Sequence, residues 1–333
     1  MVHDIKTRVA QNVSLFANGP WLSRSVVLFL LAAPLLAPDP YIVHILTLSL
    51  MYAVLAGSWN LLCGYAGIFS FGHQVFFGIG AYVSAIMAMR MGTSPWLGLL
   101  IGGGAAALIS VVVALPCLRL RAAPYIAIAT LGMAEISRVV AQNLVGLTRG
   151  ELGLWGIPGL SDIALPLAGT ISFTHNRIAY YYVMFVLFLL ITGAIYWLIK
   201  SPFGIALKSI RESQDAAESL GVNVALYKIM VFIISAFFAG VVGSFYAHYI
   251  LILTPSSVLS ISVVVEIITI TLIGGLGIIW GPIAGAFILT FSLEYLRFMG
   301  DYRLLIYGAI LIMIILFMPE GFVRRIFPKR KLD

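Results

Sequence analysis

Charge is scarce in this sequence. Of its 333 residues only 10% are Asp, Glu, Lys or Arg, whereas 61% are hydrophobic, and the mean hydropathy is +1.05. So little charge cannot clothe a solvated surface, which excludes an ordinary soluble globular domain. Cysteine is equally sparse. Cys63 and Cys117 both sit at the ends of apolar runs, so neither a disulfide framework nor a metal site is indicated. The signatures of a chain with its own chemistry are also missing. No Gly-x-x-x-x-Gly-Lys-Ser/Thr cradle is present, so ATP is not hydrolysed by that route, and no His-Glu-x-x-His metal helix occurs. Ser70 and His73 lie close together, but the Gly-x-Ser-x-Gly elbow and an orienting acid are lacking, which argues against a membrane hydrolase. The expectation is a transport subunit that is not an enzyme and carries no cofactor. The net charge of +7 does not call for nucleic acid, because span orientation accounts for it.

What is present is a series of apolar runs. A helical span needs about 20 largely apolar residues, and the pattern predicts an all-α polytopic membrane protein with about ten transmembrane helices. They fall at 22–37, 41–62, 70–89, 96–116, 122–142, 178–199, 226–250, 260–279, 282–299 and 302–318. Residues 1–21 form an N-terminal segment with no small-residue cleavage site, so the run from Trp21 reads as a retained span. Residues 319–333 form a basic tail. Placing both ends in the cytoplasm leaves Arg90, Arg138, Arg149, Arg177, Arg297 and Arg303 outside. The remaining fourteen of the 20 Lys and Arg, every lysine among them, fall inside, the asymmetry expected of cytoplasmic loops.

Between the sixth and seventh spans lies a polar island, Ser201 to Gly221, too charged to cross a bilayer. It reads as one amphipathic helix, with Ser201 capping the first-turn amides, Pro202 in the first helical position and Gly221 as the stop. Leu207, Ile210, Ala217 and Leu220 form an apolar stripe, and Lys208, Arg211, Glu212, Asp215 and Glu218 occupy the other faces. Two readings stand, a solvated linker helix and a cytoplasmic helix that docks a soluble partner. On the second, replacing Leu207 and Ile210 with Asp would release the partner without unfolding the spans. On the opposite side, 143–177 is rich in glycine and proline and forms either a flexible connection or an outer cap, with Leu154, Trp155, Ile157 and Leu160 packed against spans or a partner.

Two glycine-rich turns interrupt the spans. The first holds Asn60, Gly64, Gly67, Ser70, Gly72, His73 and Gln74, and the second Gly274, Gly275, Gly277, Gly281 and Gly285. Such backbone is tolerated at membrane depth where it is buried in protein or lines a watery cavity, so each cluster is either a helix crossing or a gating element. Both contain glycine, two residues, glycine, isoleucine, at Gly64–Ile68 and Gly274–Ile278, a hint of duplicated halves. Ionisable residues in spans are functional candidates by default. Glu135 with Arg138 and Glu294 with Arg297 are spaced to pair within a helix. Glu266, with Ser262 and Thr269 as helical neighbours, is the stronger pathway candidate, while His44 and His248 fit packed positions.

The run from Asn60 to Met87, with Gly-Tyr-Ala-Gly-Ile-Phe-Ser-Phe-Gly-His and Phe-Phe-Gly-Ile-Gly-Ala-Tyr, resembles the permeases of branched-chain amino acid ABC importers, the second of their two membrane subunits. Ser201 to Val222 and Gly274 to Gly285 resemble them too, so the likeness covers the chain nearly end to end. The resemblance implies a permease of the inner membrane that works by alternating access, paired with a second, related permease subunit. It implies two cytosolic ATPase subunits that bind the ATP and an extracytoplasmic substrate-binding protein. It further implies that 201–221 is the ATPase-coupling segment, with Phe203, Leu207, Lys208, Ile210, Arg211, Glu212, Asp215, Glu218 and Gly221 at the docking site. Pathway candidates are Asn60, Ser70, His73, Gln74, Glu266, Thr269, Gly274 and Gly277. Branched-chain amino acids are the expected solute, with urea, amides and other small molecules as alternatives. The rivals from other classes are an ion-coupled transporter using Glu266 and a passive channel.

Overall fold

A computed structural model of the chain describes residues 20–36, 39–120, 123–165, 169–174 and 176–296, together with the single positions 308 and 312. Helices dominate: α1 Pro20–Leu36, α2 Pro40–Asn60, α3 His73–Met91, α4 Pro95–Arg119, α5 Ala123–Asn143, α6 Val145–Thr148, α7 Arg177–Lys200, α8 Pro202–Glu212, α9 Gln214–Ser219, α10 Val224–Ile250, α11 Pro255–Val258, α12 Ile261–Gly274 and α13 Trp280–Tyr295. Among the described residues seven stretches are long and apolar enough to cross a membrane: 40–65, 73–91, 95–118, 123–143, 177–200, 224–250 and 255–274. The expected first and ninth spans are the shorter helices α1, of 17 residues, and α13, of 16. The expected tenth span, the basic tail and the N-terminal segment lie outside the described residues, apart from the start of α1 and positions 308 and 312.

The helix ends follow local chemistry. Asp39 caps α2 by accepting from Tyr41 N at 2.8 Å, with Pro40 in the first position. Asn176 and Asn223 cap α7 and α10 through Ala179 N and Leu226 N, and Thr254 with Ser257 forms a capping box on α11. Gly92 closes α3 in the left-handed conformation.

The core is built on α10, against which α3 and α4 pack through small residues. A Cβ on Gly240 would lie 3.0 Å from Gly103 Cα and 2.9 Å from the Gly102 carbonyl, and the Ser244 hydroxyl donates to the Gly80 carbonyl at 3.0 Å. Such contact lets backbones approach where lipid offers no hydrophobic contrast to hold helices together. Around this seam lie fully buried Phe232, Phe245, Phe76 and Trp59.

One end of the bundle carries the cap. It adds four short strands to the helices: Leu154–Trp155 (β1) pairs antiparallel with Ile252–Leu253 (β4), and Ile163–Leu165 (β2) with Gly169–Ile171 (β3). Trp96 Nε1 donates to Ser161 O at 3.1 Å, His248 Nδ1 meets Pro158 O at 2.7 Å, and Tyr180 OH accepts from Leu160 N at 3.0 Å. Leu154, Ile157 and Leu160 are buried as the packed reading requires, whereas Trp155 is 59% exposed and turns outward. The opposite end carries residues 201–223.

Candidate functional site

The site grows from two interruptions in the helices. After Asn60, α2 runs on as a single π-helical stretch, Leu61–Tyr65, a loosening of the ladder that recurs at functional positions. Gly67 then turns the chain with φ +71, a backbone that a side chain would strain. The return to α3 is tied down by Trp59 Nε1 donating to Ser70 O at 2.7 Å, Gly72 N to Ser70 Oγ at 3.1 Å and Phe71 N to Thr130 Oγ1 at 3.0 Å. The second interruption follows α12, where Gly275 and Gly277 take φ +114 and +73 before α13 starts. The crossing of α12 with α13 is backbone on backbone, since a Cβ on Gly274 would strike the Gly281 carbonyl and its neighbours.

These turns, far apart in sequence, face each other. Asn60 bridges them, its Oδ1 accepting from Gly277 N at 2.9 Å and its Nδ2 donating to Ile278 O at 3.0 Å. Gly64 lies at the contact, where a Cβ would be 2.6 Å from Gly277 N. The sixth-to-seventh-span connection then reaches into the pair. Arg211 Nη1 donates to the Gly64 carbonyl, and Lys208 Nζ stands 5.9 Å from the Tyr65 ring centroid, within cation–π range.

That connection is not one helix, as the stripe in the sequence implied. It breaks at Ser213 (φ −161, ψ 119), which ends α8 and caps α9 by accepting from Ala216 N at 3.3 Å. A serine at a break satisfies the new helix's orphan amides, so the segment is an elbow. Nor does Ser201 cap α8 through its side chain; its hydroxyl donates back to Leu198 O at 2.6 Å. Gly221 has φ +83 beyond the end of α9.

The break also redistributes the stripe. Leu207 and Ile210 are fully buried and Ala217 is buried, while Leu220 is 82% exposed. Leu207 belongs to the main core, and Ile210 packs with Ala217, Val224, Val222 and Tyr227. Leu207 and Ile210 are therefore roots of the elbow in its own protein. Aspartate there would disrupt that packing, contrary to the expectation that the spans would stay intact. Phe203 is half-buried against Tyr227, with ring centroids 5.4 Å apart. Arg211, Glu212, Asp215, Glu218 and Gly221 are exposed.

The remaining candidates separate into groups. Ser70, His73 and Gln74 are fully buried. His73 Nε2 meets Ser58 Oγ at 2.8 Å, so this histidine joins α3 to α2, and Ser70 serves the first turn. Among the described residues the Gln74 amide and His73 Nδ1 have no hydrogen-bond partner. Thr269 is buried and Glu266 half-buried on α12. Glu135 and Arg138 pair within α5 at 3.0 and 3.1 Å through Arg138 Nε. Glu294 accepts from Tyr41 OH, joining α13 to α2, while Arg297 lies outside the described residues. Ser58, Thr130 and Trp59 are site residues the sequence did not single out; for Ser58 and Thr130 the signal available was a hydroxyl in an apolar run, and for Trp59 a single indole N–H.

Broken helices meeting through glycine backbone, inside a bundle whose described helices are long and apolar enough to span a bilayer many times, are the architecture of a multi-pass transport protein. Residues 41–315 match the family described as branched-chain amino acid transport system / permease component, and the chain belongs to that family. It is 30% identical over 306 residues to the high-affinity branched-chain amino acid transport system permease protein LivM of Escherichia coli K12, a match covering 87% of this chain and 72% of that protein. It is 26% identical over 296 residues to the LivH permease protein of the same strain, covering 84% and 93%. The nucleoside ABC transporter permease protein NupC of Lactococcus lactis is 30% identical over 194 residues, covering 55% and 59%. No solved structure gives a significant match.

Proposed function

We propose that this chain is the membrane-spanning subunit of an ATP-driven importer that passes branched-chain or related amino acids across the inner membrane by alternating access. It pairs with a second, related permease subunit, a reading supported by its likeness to both LivM and LivH. Two cytosolic ATPase subunits bind the ATP, and an extracytoplasmic binding protein delivers the solute to the cap end, 143–177. Both termini are cytoplasmic. The carrying observation is the elbow 201–221. It stands at the end away from the cap, is rooted by buried Leu207 and Ile210, and leaves Glu212, Asp215, Glu218 and Leu220 uncovered by the chain's described residues. Lys200, Lys208, Arg211 and Lys228 gather at the same end, which fits the cytoplasmic face. Closure of the ATPases against the uncovered face would drive the elbow as a lever, moving α7 and α10 through its roots.

Vesicles holding the assembled transporter test this with radiolabelled leucine. Uptake is expected to continue after the ion gradients are collapsed and to stop when ATP is withdrawn. Uptake that follows the gradient would assign the work to ion coupling through Glu266, and uptake indifferent to both would make the chain a passive channel. Transport of a nucleoside, urea or an amide in place of leucine would keep the ATP-driven class and change the solute. Charge reversal of the exposed face, Glu212→Lys with Asp215→Lys and Glu218→Lys, is expected to strip the ATPases from the purified complex while the permease stays monodisperse. Their retention would overturn the docking assignment.

A further inference from the structure

The elbow does more than present a surface, because one of its side chains is shared by both glycine turns. Arg211 Nη1 donates to the Gly64 carbonyl at the end of the π-helical stretch. Its backbone and stem cover Gly67, where a Cβ would lie 3.3 Å from Arg211 Cα and 3.1 Å from Cγ. Its guanidinium lies beside Gly277, where a Cβ would be 3.0 Å from Nη1. Gly67 and Gly277 are the second glycines of the two matching Gly-x-x-Gly-Ile runs, and they share nearly the same backbone, φ +71 and +73. Both turns thus offer a bare backbone surface to one residue of α8. Behind them the cavity lined in part by Asn60, Tyr65 and Ile279 measures only about 10 Å³, room for at most a single water. At the cap end an open cleft of about 750 Å³ is bordered by His44, Asp162, Phe173, Arg177, Tyr180 and Tyr249.

We propose that Arg211 is the latch of an inner gate, a positioning residue that holds the two glycine turns together and is withdrawn when the elbow moves. The proposal rests on the reading of 201–221 as the ATPase-coupling segment. A charge-assisted bond to a carbonyl is stronger than a neutral one, and guanidinium is a planar donor fork suited to reach two backbones at once. Each turn interrupts a pair of helices at glycines with positive φ, so each is a hinge. Asn60 ties turn to turn, and Arg211, bonded to the first turn and lying against Gly277 of the second, brings both to the element the ATPases would push. Tilting α8 would draw the guanidinium from Gly64 and uncover Gly67 and Gly277 in one motion, opening the cytoplasmic end.

Cys63, half-buried and adjacent to Gly64, is a built-in reporter. In a Cys117→Ser background, the assembled transporter is placed in vesicles and Cys63 is labelled with a membrane-impermeant maleimide from the coupling-segment side. Arg211→Ala is expected to speed labelling by about 2- to 30-fold, the range typical of residues that carry coupling between sites, and to raise the ATP hydrolysed per leucine taken up. Arg211→Lys, which retains one cationic donor, is expected to fall between. Should Arg211→Ala fail to fold, Arg211→Gln, which keeps the reach and a donor without the charge, carries the same comparison. An unchanged labelling rate in a folded variant overturns the latch. If the ATPases are also lost at that unchanged rate, Arg211 is a docking residue and the functional reading survives without the latch. Labelling of Cys63 only from the cap side would instead sink the orientation on which both rest.

Discussion

The two glycine turns carry the same short pattern and nearly the same backbone, yet they are held in different ways. The first is anchored on its own side of the molecule, by Trp59 through Ser70 and by Thr130 through Phe71, and its residues Leu61, Leu62, Ile68 and Ser70 are buried. The second, Leu276–Trp280, is only half-buried, and its polar ties to the bundle come from Asn60 on the first turn. Local sequence thus sets the shape of a turn, while its rigidity depends on the neighbours that satisfy its backbone. The first turn acts as an anvil and the second as the piece that can part from it.

Substitutions can break or sharpen that contrast. The largest effect is expected at Gly64, because a methyl there meets Asn60 and the Gly277 backbone, neither with room to give. Gly64→Ala should destabilise the protein by about 1–3 kcal/mol, the usual cost of overpacking, and abolish leucine uptake, as read by thermal unfolding in detergent and by vesicle assay. A wild-type melting temperature would show that the turns do not press together. Asn60→Ala comes next. Removing both bonds to the second turn leaves Gly277 N and Ile278 O unpaired at a half-buried site, a loss of about 1–2 kcal/mol. Protease nicking at 275–279 is expected to increase while the first turn stays protected, and equal nicking of both would erase the distinction drawn above. The smallest expected difference is between Gly67→Ala and Gly277→Ala. Each pays the left-handed backbone penalty of about 1–2 kcal/mol, and since φ is alike the two melting temperatures should drop alike. A clear gap between them would break the equivalence of the two runs.

Much of this was legible in the chain. Apolar runs marked the helices because hydropathy is a property of a segment alone, and the breakers in 143–177 excluded one long helix there for the same local reason, leaving a flexible connection and a cap both open. The matching Gly-x-x-Gly-Ile runs were visible as a pattern. That they touch was not, since Asn60 and Gly277 are 217 residues apart and no periodicity encodes a contact through space. The elbow shows the same limit. Leu207, Ile210, Ala217 and Leu220 fall in helical register, and only the cap at Ser213 and the surrounding spans send three inward and leave the last in the open.

Taken by itself, then, the order of residues determined which stretches could enter a bilayer, where the backbone was free to turn and which segment had to remain outside the oil. These follow from solvation and from backbone sterics, both of which act residue by residue. The packed structure alone decided which turn meets which, which face of the elbow is rooted and which is offered, and that one arginine spans both turns. Each of those depends on groups brought together by close packing, where a backbone carbonyl left bare by glycine becomes an acceptor only once a donor from a distant segment is placed within reach.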